Sequence, residues 1–426
     1  MTPISAETFG HKGLTLFEAR RQLITALTRQ QTSQATCQKT ERVSLDQSLD
    51  RVTAEPVLAQ GTVPGFRASI MDGYAVGQSN RPNPGAEWLL VGCAAPAASY
   101  AGRLDHGEAI RILTGAPLPD GAGWVLPQEL VAVDEKRNTI QLMGNISTNS
   151  WIRPEDEECR CGDTLLPAGM RLSPADLGRA AAGGVHMIRV VCQPRIGMLI
   201  SGDELVPVGV NRPYGGIWES NSTLLGNLLC RLGYNISHLR IVADQPNTLL
   251  HTLTELADSC DVVVSTGGVS VGDSDWIRPL MQELGSVEFW KLFLKPGRPF
   301  AFGWIGDRVP FFGLPGNPVA AVVTALQLLW PALQMLEGQA ILEQLPRLQV
   351  QLADRLLRKP GRPELVRARL ESADDGSLRA RIEGSQSSSR IGSLQGADLL
   401  LEIPAESEFL ETGTILWAQL LRRALF

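Results

Sequence analysis

Between residues 195 and 330, short apolar runs alternate with helical stretches, and that alternation limits the fold more than any other feature of the chain. Residues 195–200, 237–242 and 261–265 read as strands, the last so rich in valine that both its faces are expected to be covered. Residues 221–232, 247–257 and 275–284 carry helical spacing. Strand, helix and strand in that order predict a central, mostly parallel sheet flanked by helices. Residues 311–314 continue the sheet, and 319–330 form another helix that Pro331 bends or ends.

Open sheets of this kind bind ligands at the carboxyl ends of their strands. Thr266-Gly267-Gly268 follows the third strand, where backbone amides can approach a phosphate closely. Asp273 and Asp275 come next, and Lys291, Lys295 and Arg298 follow another apolar run, so both signs of charge gather at one sheet edge. One Thr-Gly-Gly turn is ordinary, and so is one Lys-Pro-Gly-Arg-Pro loop. Three such turns in succession, the third being Gly-Leu-Pro-Gly-Asn-Pro at 313–318, point to an anionic, phosphate-bearing ligand.

The net charge of −6 excludes a general nucleic-acid binder, so any anion must meet local cations. Seven cysteines are scattered with no Cys-x-x-Cys pair, which reads as reduced thiols in a cytoplasmic protein. The first residues lack a basic-then-apolar signal, and no uninterrupted apolar run of about 18 residues occurs, so neither secretion nor a membrane span is expected.

A chain of 426 residues exceeds one core. The expected layout is an N-terminal helix (14–30) docked on the sheet domain, a linking and dimerisation domain (31–45 with 153–192) and a mainly β domain (46–152). An α/β domain (193–340) and a C-terminal β-barrel-like domain (341–426) complete it. Ser173 suits an N-cap, with Pro174 at the first helical position.

Several motifs recur in fixed order over more than three hundred residues. They are Ser69-Ile70-Met71-Asp72-Gly73-Tyr74-Ala75, residues 112–119, Arg153 with its acidic followers, Gly162-Asp163 through Gly169, Ser201-Gly202-Asp203-Glu204-Leu205, and the 261–318 stretch. The chain thereby resembles the MoeA family of molybdopterin molybdenumtransferases, which includes the E domains of plant and animal molybdenum-cofactor proteins. The resemblance implies that adenylylated molybdopterin is cleaved with a divalent ion present while molybdate reaches the dithiolene sulfurs, giving molybdenum cofactor and AMP. It also implies a homodimer with the site between subunits, a molybdopterin adenylyltransferase as donor and molybdoenzymes as recipients.

Under that resemblance Asp72, Glu204 and Thr114 are the catalytic residues. Mg²⁺, a hard cation, falls to Asp72, Asp244, Asp273 and Asp275. Arg153, Glu158, Thr266, Gly267, Gly268, Ser270, Lys291, Pro315 and Pro318 bind the pterin substrate. Lys295, Arg298, Arg362, Arg367, Ser388 and Ser389 bind molybdate. Several positions depart from the family: Glu158 stands in for an aspartate, Arg67-Ala68 for an acidic and amide pair, Arg298 for a common lysine, and Ala320 for a serine. The rival readings are a molybdopterin adenylyltransferase, which needs only about 193–338, and a non-catalytic scaffold of the same fold.

Overall fold

The structure is a computed structural model that describes residues 13–34, 38–269, 276–382 and 384–422. Its central sheet has six strands, in the spatial order Ile236–Val242, Ile196–Ser201, Val262–Thr266, Val309–Leu314, Ala301–Ile305 and Gly285–Phe289. The first four run parallel, Ala301–Ile305 runs against them, and Gly285–Phe289, antiparallel to that strand, runs with the first four, so the sheet is mixed. Only three residues separate Ile305 from Val309, and a parallel pairing needs a crossover of a dozen or more.

Both faces are apolar, as the valine-rich strand requires. Val262 and Val264 pack with Ile196, Met198 and Phe312 in one core, while Val263 packs with Leu199 and Phe311 in the other. The first core also takes in Ala19, Leu23 and Leu27 of the helix Leu16–Gln34. That helix runs beyond residue 30, where the sequence suggested a polar linker, because backbone hydrogen bonding continues after the apolar stripe ends.

Pro331 does not end its helix. The helical run Pro318–Leu336 passes through a wide, five-residue π turn at Ala325–Leu329. Proline cannot donate to the carbonyl four residues back. That carbonyl, of Gln327, instead accepts from Arg20 Nε at 3.2 Å. The run is long and apolar enough to cross a bilayer, with mean hydropathy 1.7, but 89% of it is buried inside the molecule. Two of its polar side chains are bonded there: Thr324 Oγ1 donates to the Ala320 carbonyl at 2.8 Å, and Gln327 Nε2 to Gln419 Oε1 at 2.7 Å.

Two further β units flank this core. Thr40–Ser44 pairs with Met187–Val191 and Val57–Leu58 with Thr164–Leu166, over a cluster holding Val43, Leu166, Ile188 and Val190. Ser173 caps the helix Pro174–Ala182 through a reciprocal pair with Asp176. A second six-stranded sheet, with apolar clusters on each side, contains Gly73–Val76 and Glu108–Ile112. The C-terminal strands close into a five-stranded barrel, completed by Ile415–Leu420.

Arg171 fastens the Thr40–Val191 unit to the α/β unit. Its side chain is 3% exposed, and its Nη2 donates to Glu337 Oε2 and to the Tyr234 hydroxyl. Nη1 donates to the Asp50 carbonyl and Nε to Gln339 Oε1 at 3.1 Å.

Candidate functional site

A cleft of about 970 Å³ opens at the carboxyl ends of the four parallel strands. Each strand delivers one piece of it. Ile196–Ser201 leads into Glu204, Ile236–Val242 into Asp244, Val262–Thr266 into Gly267-Gly268, and Val309–Leu314 into Pro315 through Pro318. Because Ala301–Ile305 is antiparallel, its leading end lies at the same edge, and the preceding loop brings Lys295 and Arg298 to the cleft. Carboxylates therefore come from one side of the sheet and cations from the other, with the glycine turn between them.

The turn needs its glycines. Gly267 has φ +92°, and a Cβ there would sit 2.5 Å from the Ser201 carbonyl oxygen; Gly268 has φ +61°, and its Cβ would meet Ile277 Cγ1 at 2.6 Å. Gly267→Ala is accordingly expected to cost about 1–3 kcal/mol, read by urea unfolding, and to lower affinity for any phosphate ligand of the cleft.

On the acidic side, Asp203 Oδ1 accepts from the Asp244 backbone N–H at 2.9 Å. Burial pushes the Asp244 carboxyl up, and the charges of Asp203 and Glu204 add to the rise. The neighbouring buried Ser201 hydroxyl works the other way and holds it down. Asn221 Nδ2 donates to the Gly316 carbonyl at 2.8 Å and ties two strand ends together, while Glu219 Oε1 accepts from the Ser222 N–H at 2.9 Å.

On the basic side, Lys295 Nζ donates to Glu364 Oε1 at 3.0 Å, and Arg358 Nε donates to the same oxygen at 3.1 Å. Arg362 Nη1 donates to the Leu294 carbonyl at 2.9 Å, and burial lowers its pKa. Asn317 Nδ2 donates to Ser388 Oγ at 3.2 Å, and Ser387 to Ser389 line the same wall. Arg298 is exposed in the cleft.

The structure thus brings together Glu204, Asp244, Thr266, Gly267, Gly268, Lys295, Arg298, Pro315, Pro318, Arg362, Ser388 and Ser389. Arg367 lies behind that wall, 2% exposed, with Nη2 donating to the Ser387 carbonyl and Nε to Ser393 Oγ. Lys291 is outside the lining; its carbonyl accepts from the Leu14 N–H. Ser270, Asp273 and Asp275 lie outside the described residues.

A second polar cluster forms on the β unit. Asp72 Oδ1 accepts from the Thr114 N–H at 2.7 Å and from Thr114 Oγ1 at 2.8 Å, and these bonds hold the Asp72 carboxyl below the usual range. The strand Ala68–Ser69 pairs with Ile152–Arg153 and also bonds Gly115 and Ala116, so Arg153 is a neighbour of this pair. Arg153 bonds Glu157 and reaches Glu158 Oε1 at 3.3 Å. None of these residues lines the cleft of the same chain.

Sequence reasoning did not single out Asn221, Glu219, Trp218 or Glu364, whose importance depends on contacts distant in the chain. Glu364 nonetheless stands in the same Arg-Pro-Glu run as Arg362, a signal of its own.

Fold and cleft together define a multidomain protein with an α/β unit whose strand-end edge carries a cleft graded from carboxylates to cations. Residues 14–184 match the MoeA N-terminal region (domain I and II), 197–335 a probable molybdopterin binding domain, and 349–421 the MoeA C-terminal region (domain IV). A molybdopterin molybdenumtransferase of Haemophilus influenzae is 33% identical over 355 residues, covering 82% of this chain and 86% of that protein. Gephyrin of Dictyostelium discoideum is 29% identical, and the alignment covers 89% of this chain and 59% of that longer protein. A molybdopterin biosynthesis MoeA structure from Pyrococcus horikoshii superposes with TM-score 0.74 over 97% of this chain and 100% of that one, at 24% identity. The chain belongs to the MoeA family.

Proposed function

We propose that the chain is a molybdopterin molybdenumtransferase that releases AMP from adenylylated molybdopterin while molybdate is transferred to the dithiolene. The observation that carries this reading is the graded strand-end cleft, acidic at one side, glycine-lined in the middle and cationic at the other. Thr266, Gly267 and Gly268 receive the phosphates, and Lys295, Arg298 and Arg362, with Ser388 and Ser389, hold the oxyanion. Water adds to the adenylyl phosphorus, the phosphoanhydride bond breaks, and the molybdopterin phosphate leaves with the electron pair of that bond, so that AMP carries the oxygen of the water and the water's protons pass to solvent.

Glu204 and Asp244 fit a magnesium ion, which takes one or two protein carboxylates and completes its shell with water and phosphate oxygens. The burial that raises the Asp244 carboxyl, with the like charges of Asp203 and Glu204 adding to it, is what a cation there would offset. When bound, the ion neutralises phosphate charge. Glu204 orients the water, and Glu204→Gln is expected to cut the rate of AMP release by about 10²–10⁴-fold, measured in single-turnover assays.

The Asp72, Thr114 and Arg153 cluster completes the site from a second copy of the chain, because within one chain it stays exposed and apart from the cleft. We place the enzyme in the cytoplasm, supplied by an adenylyltransferase and serving molybdoenzymes, with no nucleic-acid or membrane partner. The test is to supply adenylylated molybdopterin with molybdate and magnesium. AMP and molybdenum cofactor in equal amounts are expected. Formation of the adenylate from molybdopterin and ATP, without such transfer, would overturn the assignment.

A further inference from the structure

We infer that Trp218 is the platform on which the adenine ring of the substrate stacks, an assignment resting on the function proposed above. Trp218 is the one aromatic side chain among the described residues lining the cleft. It is held firmly. The short parallel pair Leu205–Val206 and Ile217–Trp218 grows out of the strand end at Ser201, with the Ile217 N–H on the Glu204 carbonyl at 2.8 Å and the Glu219 N–H on the Val206 carbonyl at 2.9 Å. The indole Nε1 donates to the Val210 carbonyl at 3.0 Å, and the Arg212 guanidinium covers the ring with its carbon 4.9 Å from the centroid.

Even so, Trp218 is 50% exposed, and Ile217 beside it 48%. The ring's polar atom is already satisfied, so what borders the cleft is bare apolar ring surface fixed in orientation. A pre-set indole with a guanidinium behind it suits a flat heteroaromatic base.

The order of strands decides which base. Trp218 follows the Ile196–Ser201 strand, on the side that supplies Glu204 and Asp244. The Lys295–Arg298 loop leads into Ala301–Ile305, three inter-strand steps away, or about 14 Å. The substrate has a fixed sequence of parts: dithiolene on the pterin, then phosphates, ribose and adenine. With the dithiolene beside the oxyanion at the cationic side and the phosphates on the Gly267-Gly268 turn, the ring reaching Trp218 is adenine and the pterin lies at the opposite side.

Titration calorimetry of the full chain with AMP and with ribose 5-phosphate separates base from phosphate recognition. Trp218→Ala is expected to weaken AMP about ten-fold or more while ribose 5-phosphate binds as before, and Trp218→Phe is expected to retain AMP. Far-UV circular dichroism checks that each variant is folded. Unchanged AMP affinity in Trp218→Ala, or equal losses for both ligands, overturns the stacking alone. Failure of the unsubstituted protein to bind AMP overturns both the stacking and the functional reading beneath it.

Discussion

Replacing Arg171 by methionine should lower stability by about 3–5 kcal/mol, because a buried carboxylate then loses its cation. Arg171 and Glu337 have side chains 3% and 0% exposed, and the guanidinium also serves Tyr234, Asp50 and Gln339. Burial already raises the Glu337 carboxyl, which Arg171 partly offsets, and burial likewise raises the Tyr234 phenol. Removing the arginine lifts Glu337 further. A carboxyl whose folded pKa exceeds its unfolded value stabilises most below the unfolded value, about 4.3, and that contribution is lost as pH rises through the folded value. The deficit of Arg171→Met should therefore be greater at pH 8 than at pH 5, read from the earliest urea transition. Arg171→Met combined with Glu337→Leu should recover much of it, since an apolar pair needs no desolvated charge. A single variant within 1 kcal/mol of the parent at both pH values would show that the pair does not hold the two units together.

The second large effect concerns the assembly. Asp72→Asn alone should abolish AMP release without unfolding, as should Lys295→Ala. Mixing the two inactive variants, with subunit exchange, should restore about a quarter of full activity: half the dimers are hybrids, each carrying one intact site of two. The expectation follows from Asp72 and Thr114 forming an exposed pair on the β unit while Lys295 stands in the cleft of the α/β unit. Activity that stays at zero after verified exchange would place both residues in a site built from one chain, or remove one of them from the chemistry.

Much of this was legible in the sequence where a single residue type enforces a local conformation. Valine runs marked the strands, Gly267 and Gly268 marked a turn that a Cβ would obstruct, and Ser173 with Pro174 marked a helix start. Less legible were features decided by partners distant in the chain. The tail of the first helix carries no apolar stripe, so it read as linker. The turn at 306–308 sets Ala301–Ile305 against the parallel strands, and an apolar run alone carries no direction. Pro331 read as a helix breaker because the compensating donor, Arg20, comes from more than three hundred residues upstream. In the cleft, Lys295 was visible as a cation but its acceptor Glu364 was not, since 69 positions separate them.

That last contact has a bearing on modularity. Glu364 opens a barrel strand, yet its carboxylate receives the ammonium on the cationic wall of the cleft, and Arg362 returns a bond to the Leu294 carbonyl. The wall is thus a joint between two folding units rather than property of either. A six-stranded sheet excised from its barrel would keep its phosphate turn but lose the serine loop and one arginine. On the function proposed above, a chain without the terminal barrel would still cradle the phosphates of the pterin but would lack Arg362, Ser388 and Ser389 to hold the oxyanion.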